Sequence, residues 1–210
     1  MHYCNSANVI IHNNDNLIAY VIRHPTVSEL TIKFAKNIPS AKRTAILNNS
    51  FAQLAEKKLT QQIAFLDLSG NQLTEPPLLT SLSNLRLLHL DNNQLIQSPV
   101  LTGLSVLRWL GLSENKLTEP PILTGLFALQ GLNLSYNLLT KPPVLTGLSA
   151  LQELALASNP LIKPPVLIGL SNLSRLTLDG NRLKEPLYIP LTLQGKLTVE
   201  GYTNVIIGHN

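Results

Sequence analysis

The stretch Leu66-Asp67-Leu68-Ser69-Gly70-Asn71 returns along the chain every 22 residues. Leucines precede its asparagine by five and by three residues, and another leucine follows it by two. The asparagine column consists of Asn71, Asn93, Asn115, Asn137, Asn159 and Asn181. A fixed period of this length is typical of a solenoid, in which each turn of the chain stacks on the turn before it. The period therefore predicts one elongated repeat fold.

The alternation of leucine with other residues predicts a short strand in each unit. Successive side chains of a strand point to opposite faces, so both leucines of L-x-L face one side. Stacked units then form a parallel sheet with strands about 4.8 Å apart, and each unit needs its neighbours to complete a core. A buried asparagine amide can both donate and accept hydrogen bonds. We therefore expect the asparagines to form an internal, structural ladder.

The full unit reads L-x-x-L-x-L-x-x-N-x-L-[TI]-x-P-P-x-L-T-G-L over about 63–189. This pattern resembles the leucine-rich-repeat family. The resemblance implies an α/β leucine-rich-repeat solenoid, which is a curved right-handed horseshoe with a parallel β-sheet on its concave side. Proline doublets such as Pro120-Pro121 exclude a regular helix at their position in the unit, so the convex side is expected to be helix-poor.

The two ends of the chain depart from this register. Residues 1–62 predict an N-terminal cap, in which Val9-x-Ile11-x-x-Asn14 and Ile32-x-Phe34-x-x-Asn37 match the strand and asparagine of degenerate repeats. Residues 17–22 read as another extended segment. A helix is expected over 40–58, with Ser40 as its cap. Six repeats fill 63–189. Residues 190–210 predict a C-terminal cap with a hairpin around Gln194-Gly195 and an edge strand near 205–207.

Composition narrows the classes of function. The chain has 210 residues, a net charge of +4, 13% charged residues and one cysteine, Cys4. It has no run of apolar residues long enough for a membrane span and no Sec-type signal peptide at its start. A single cysteine excludes an internal disulfide framework, and the dilute charge argues against nucleic acid. We expect an intracellular monomer with no cofactor. Motifs typical of enzymes are absent from the sequence, so no catalytic activity is expected.

Side chains that alternate with the core leucines should form the concave face. One column across the strands reads Phe65, Leu87, Trp109, Gly131, Glu153 and Arg175. Its apolar half is exposed by position, which predicts a binding patch unless the N-terminal cap folds over it. The predicted partner-binding residues are Phe65, Asp67, Leu87, His89, Asp91, Trp109, Glu114, Tyr136, Glu153 and Arg175. His89 between Asp67 and Asp91 leaves a metal or acid–base site open, although a polar rim beside the patch is favoured.

The function predicted from this face is binding of a partner protein. The D-L-S-x-N units and the helix before short repeats are similar to effectors that intracellular bacteria inject into host cells, such as the Legionella group. That resemblance implies a host protein as partner and delivery into the host cytoplasm by a non-Sec route. Two alternatives stay open: a cytosolic scaffold or phosphatase-regulator-like protein, and the substrate-recognition fragment of a leucine-rich-repeat ubiquitin ligase, whose catalytic domain is not expected here.

Overall fold

The computed structural model describes residues 6–11 and 15–208. Nine strands form one sheet in the order β1-β2-β3-β4-β5-β6-β7-β8-β10, and every neighbouring pair is parallel. The strands of this sheet are β1 (Ser6–Ile11), β2 (Glu29–Phe34), β3 (Phe65–Asp67), β4 (Leu87–His89), β5 (Trp109–Gly111), β6 (Gly131–Asn133), β7 (Glu153–Ala155), β8 (Arg175–Thr177) and β10 (Thr198–Glu200). Each strand therefore lies beside the strand that precedes it in this sheet, as expected for a solenoid.

The sheet register follows the sequence repeat. Leu66 pairs with Leu88, and Leu88 pairs with Leu110, so one repeat unit separates neighbouring strands. The leucines on the inner side are buried, from Leu66 in the first unit to Leu178 in the last. Each fully buried leucine contributes about 1.5–3 kcal/mol to stability relative to an exposed one. Because a single unit cannot enclose its leucines, this stabilisation exists only when the units are stacked.

The predicted asparagine ladder is confirmed. Asn115 Nδ2 donates to Leu90 O at 3.0 Å and to Leu112 O at 3.1 Å, while its Oδ1 accepts the amide of Leu95 at 3.0 Å. The other ladder asparagines repeat this bridge between the backbones of adjacent units. The amides thus satisfy buried backbone groups where the chain turns inward after each strand.

The residue immediately before each ladder asparagine has a left-handed backbone. Gly70 and Gly180 occupy this position in the first and last units, with φ of 67° and 68°. The units between them carry side chains in the same conformation, at Asn92, Glu114, Tyr136 and Ser158. This conformation costs most residues other than glycine about 1–2 kcal/mol, so the turn is strained wherever glycine is missing.

The convex side is made of extended segments and turns, as the proline doublets predicted. It also carries a column of exposed apolar side chains at the 22-residue spacing, which was not predicted. The column consists of Leu78, Val100, Ile122, Val144, Val166 and Tyr188. The convex side is therefore a second apolar surface, against which any assignment to the concave side has to be tested.

At the N-terminal end, β1 and β2 pair in register and continue the sheet, which confirms strands at both degenerate matches. The predicted alignment of the second match is wrong by two residues, because Leu30 and not Ile32 pairs with Leu66. Asn37 is exposed and does not continue the ladder, and Asn14 of the first match lies outside the described residues. The extended segment expected over 17–22 is wrong, because α1 (Asp15–Arg23) is a helix. Leu17, Ile18 and Val21 are buried on one helical face. Their spacing of one and four residues is helical, whereas a strand would have placed Leu17 and Ile18 on opposite faces.

The helix predicted over 40–58 is confirmed as α2 (Ser40–Glu56). It buries Leu47, Phe51 and Leu54. Ser40 does not cap it: Pro39 occupies the N-cap position, and no side chain makes a capping hydrogen bond. Neither helix in the described part of the chain combines the length and apolarity that a bilayer span requires.

A buried arginine ties α2 to the first asparagine turn. Arg43 Nη1 donates to Asn71 O at 2.6 Å, and its Nε donates to Ile38 O at 3.0 Å. The guanidinium also lies 5.7 Å from the centre of the Phe34 ring. Backbone carbonyls and an aromatic face thus compensate the buried charge in place of a carboxylate.

The C-terminal end differs from the prediction. Residues around Gln194-Gly195 do not form a hairpin, because a short 3-10 helix over Leu191–Leu193 leads into β10, which pairs in parallel with β8. Val199 pairs with Leu176, so the stacking continues after a step of 23 residues. The predicted edge strand is present as β11 (Val205–Gly208), paired with β9 (Leu187–Pro190) in a separate two-stranded sheet. The division into caps and repeats at 62 and 189 stays a prediction.

Candidate functional site

The apolar residues of the candidate site stand on three consecutive strands. Phe65 pairs with Leu87, and Leu87 pairs with Trp109. All three alternate with buried leucines and therefore project from the opposite side of the sheet, which we call the concave face. Leu87 is 37% exposed, and Phe65 and Trp109 are half-buried by their neighbours. β1 and β2 continue the sheet beside these residues instead of folding over them.

His89 joins these side chains into one aromatic surface. Its ring centre lies 5.6 Å from that of Phe65 and 6.4 Å from that of Trp109. Both separations lie within or near the range in which aromatic rings attract each other. The predicted apolar patch therefore has a fourth, partly polar member at its centre. We call Phe65, Leu87, His89 and Trp109 the aromatic patch.

Asp91 positions His89 rather than forming an open acidic site. Its Oδ1 accepts the Ser113 amide at 2.9 Å and the Ser113 hydroxyl at 2.7 Å, while its Oδ2 lies 3.3 Å from His89 Nδ1. Burial raises the pKa of Asp91, but the hydrogen bonds from His89 and Ser113 outweigh burial and lower the pKa below its ordinary value. The carboxylate is therefore held ionised by contacts within the protein.

The contacts of Asp91 and Asp67 argue against the metal or acid–base site that the sequence left open beside His89. Both oxygens of Asp91 are engaged, and Asp67 Oδ1 accepts the Ser69 amide at 2.8 Å. Over residues 6–11 and 15–208, no cluster of three or more histidine, cysteine or carboxylate side chains could hold a metal ion. The arrangement is that of a polar border that fixes the ring of His89 within the aromatic patch.

Trp109 lies across the neighbouring strand, where Gly131 leaves room for it. A Cβ atom placed on Gly131 would come within 2.1 Å of the six-membered ring of Trp109. Gly131 is the next member of the column after Trp109. The indole ring therefore packs on the backbone of Gly131. The glycine that directly follows tryptophan in the column was the sequence feature that could have predicted this contact.

A recess of about 210 Å³ opens beyond the indole ring. Trp109 and Arg175 form its two ends, and Glu153, Ala155 and Thr177 line it between them. Arg175 is bound to the carboxylate of Glu200, with Nε 3.1 Å from Oε1. Among the described residues, the Glu153 carboxylate has no hydrogen-bond or ion-pair partner.

The last two predicted residues lie at the rim where the strands end. Glu114 and Tyr136 both occupy the strained left-handed turn position, with φ of 53° and 56°. Both are exposed, and the Tyr136 side chain is 60% accessible. The structure thus groups the predicted residues into three places: the aromatic patch with Asp67 and Asp91, the recess with Glu153 and Arg175, and this rim. The sequence analysis placed Gly131 in the concave column without predicting its contact with Trp109, and it missed Glu29 and Glu200, which lie on the same face.

Comparisons with known proteins agree with the architecture. A sequence profile of the Leucine Rich Repeat family matches residues 62–82. No curated protein sequence matches the chain. Three similar solved structures are from Listeria monocytogenes: a functional domain of InlJ (25% identity, TM-score 0.58), an internalin, inlF (23%, 0.63), and internalin C2, inlC2 (24%, 0.60).

These likenesses cover much of this chain but less of the other proteins. They cover 68%, 85% and 88% of this chain, and 30%, 48% and 69% of the respective solved chains. This chain therefore spans less than half of the InlJ and inlF structures. Together with the parallel sheet and the scarcity of helices, the likeness confirms the predicted leucine-rich-repeat solenoid. The resemblance to Legionella-type effectors stays a prediction.

Proposed function

We propose that the chain is a protein-protein interaction module that binds a partner protein on its concave face, with the aromatic patch as the centre of the interface. The observation that supports this most is the side-by-side placement of Phe65, Leu87 and Trp109 on a sheet face that no other segment of residues 6–11 and 15–208 covers. Tryptophan and tyrosine are among the residues that most often dominate binding energy. Trp109 lies on this face, and Tyr136 lies at its rim.

The backbone of the face favours binding through side chains. Each of β2 to β8 has a hydrogen-bonded neighbour on both sides, so the interior of the sheet offers no free edge for strand addition. A partner therefore has to recognise the projecting side chains. The sheet also holds these side chains in fixed positions, which reduces the entropy lost on binding.

The decisive experiment is affinity capture with matched variants on the two apolar surfaces. The first variant combines Leu87→Ala with Trp109→Ala on the concave face. The control is Ile122→Ala, which removes a side chain that is 80% exposed on the convex side. Proteins captured by the wild type and by Ile122→Ala, but lost with the double variant, would support the proposal. Loss with Ile122→Ala alone would move the interface to the convex side and refute it.

With a captured partner in hand, Trp109→Ala should weaken binding by about 2 kcal/mol or more, as is typical of central interface residues. The urea midpoint should change little, because the ring rests on the sheet surface and not in the leucine core. Isothermal titration calorimetry measures the first quantity. Affinity unchanged within error would show that Trp109 lies outside the interface.

We propose further that the partner is a host protein and that the chain acts as a bacterial effector. The sequence resemblance to injected effectors supports this role, and the Listeria origin of the similar structures agrees with a bacterial source. A translocation reporter fused to the chain should accumulate in the cytoplasm of infected cells. Lack of delivery would favour the cytosolic scaffold instead.

The two remaining alternatives predict different biochemistry. A phosphatase-regulator-like protein would retain a phosphatase in a pull-down that the effector would not. A recognition fragment of a ubiquitin ligase would belong to a gene product that transfers ubiquitin. Neither alternative changes which face of the sheet carries the exposed aromatic patch.

A further inference from the structure

Acidic residues outnumber basic residues on the concave face, although basic residues outnumber acidic ones in the chain as a whole. The three residue columns of the concave face hold six of the 12 acidic residues but two of the 16 basic residues. The acidic members are Glu29, Asp67, Asp91, Glu153, Asp179 and Glu200, and the basic members are Lys33 and Arg175. The whole chain carries a net charge of +4, but the concave face carries a net negative charge. Including the residues at its edges, Arg86, Arg108 and Glu114, keeps the net charge of the face negative.

The acidic groups follow the long dimension of the sheet. They extend from Glu29 on β2 to Glu200 on β10, which are seven strand spacings apart in the sheet order. At about 4.8 Å per spacing, this distance is about 34 Å. The strands of the repeats are three residues long, so the strip is narrow. An extended peptide of about ten residues has the same length.

The recess beside Trp109 offers a specific position on this strip. With a volume of about 210 Å³, it is smaller than the pockets of about 300–1,000 Å³ that hold drug-sized ligands. One wall is the indole ring, and Glu153 provides a carboxylate that no cation of the described residues neutralises. An aromatic face beside a carboxylate suits the side chain of lysine or arginine.

On these grounds we propose that the concave face binds an extended, basic segment of its partner protein, with one cationic side chain held between Trp109 and Glu153. The inference rests on the proposed function and names the chemistry of the partner. The aromatic patch would contact apolar side chains of the same segment, and the carboxylates along the strip would attract its remaining positive charges.

Three synthetic ten-residue peptides test this inference directly. They alternate threonine with arginine, with serine or with glutamate, so that length is constant while charge changes. Trp109 is the single tryptophan of the chain, so its fluorescence reports contact at the site. The arginine peptide should alter the emission and bind at least about ten times more tightly than the glutamate peptide. Its affinity should fall between about 50 and about 300 mM salt, because screening weakens exposed charge pairs.

Two single-charge variants locate the contact. Glu153→Gln should weaken the arginine peptide about two- to fivefold, in keeping with the loss of one exposed charge pair while the contact with the Trp109 ring is kept. Glu119→Gln removes the same charge from the convex side, where Glu119 is exposed, and should leave the affinity unchanged. Equal binding of the arginine and glutamate peptides, or equal effects of the two variants, would overturn the inference.

The failure of this inference can be told apart from the failure of the proposed function. A captured partner that requires Leu87 and Trp109, but is indifferent to Glu153→Gln and to salt, would leave the concave interface standing and exclude a basic segment. A partner that ignores the concave variants altogether would remove both proposals. Urea denaturation of each variant ensures that a loss of binding is compared between folded proteins.

Discussion

Removing asparagines from the ladder should destabilise the fold in an order that the hydrogen bonds determine. In Asn115→Ala, Leu90 O would keep Asn93 Nδ2 at 3.0 Å, and Leu112 O would keep Asn137 Nδ2 at 2.9 Å. The Leu95 amide would lose the bond to Asn115 Oδ1. One buried donor without a partner costs about 1–3 kcal/mol, so this is the expected loss of stability.

Replacing Asn93 with alanine should lower the free energy of unfolding more than replacing Asn115. Its Oδ1 accepts two amides, those of Asn71 and Leu73, both at 3.0 Å. Asn93→Ala would therefore leave two buried donors unpaired, which corresponds to about 2–6 kcal/mol. Asn181→Ala should lower the free energy of unfolding less, because Asn181 is only partly buried and the one hydrogen bond that it accepts, from Leu161 N, is 3.3 Å long. Water can replace part of what is lost there.

Urea denaturation followed by circular dichroism measures this order. Midpoints are compared among the three variants and wild type, since a stacked repeat protein need not unfold in one step. Asn172→Ala is the control, because Asn172 is exposed and makes one bond, to Ser149 O. Its midpoint should stay close to that of wild type. Equal losses for Asn93 and Asn181 would refute the argument that unpaired amides set the cost.

The remaining predictions concern the concave face. In Gly131→Ala, the added Cβ would displace the Trp109 ring. Tryptophan emission should therefore shift, while the free energy of unfolding changes by less than about 1 kcal/mol. The control is Gly208→Ala, whose added Cβ meets no atom within 4 Å and should leave the emission unaltered. Tyr136→Gly should raise the unfolding free energy by about 0.5–1 kcal/mol, because glycine relieves the left-handed strain at a cost in chain entropy; a lower urea midpoint would contradict this. Because the pKa of Asp91 is lowered in the folded state, the ionised carboxylate stabilises the fold above the ordinary pKa of 3.8, and this stabilisation is lost as pH falls through the lower folded pKa. Acid titration of Asp91→Asn should accordingly show a shallower loss of stability than wild type, and parallel curves would argue against the contacts with Ser113 and His89.

The repeat pattern predicted the sheet and the ladder because the same local requirements recur in every unit. Leu66, Leu88 and Leu110 had to face one interior, and Asn115 had to satisfy the turn beside it. By contrast, 17–22 could be read as extended because a short apolar run has no period long enough to distinguish helix from strand. The burial of Leu17 and Ile18 together could be seen only in the folded chain.

By itself, the sequence determined which residues line the interior, which asparagines join the units, and which side chains share a column on the concave face. Only the tertiary structure decided that Trp109 rests on Gly131 and that residues 198–200 join the main sheet. It also decided that Arg175 is bound to Glu200, while Glu153 has no partner in the part of the chain that the structure describes. The physical reason is that a repeat fixes the direction of a side chain through backbone periodicity. Its contacts depend instead on the size and charge of side chains on neighbouring strands, which lie 22 or more residues away in the sequence.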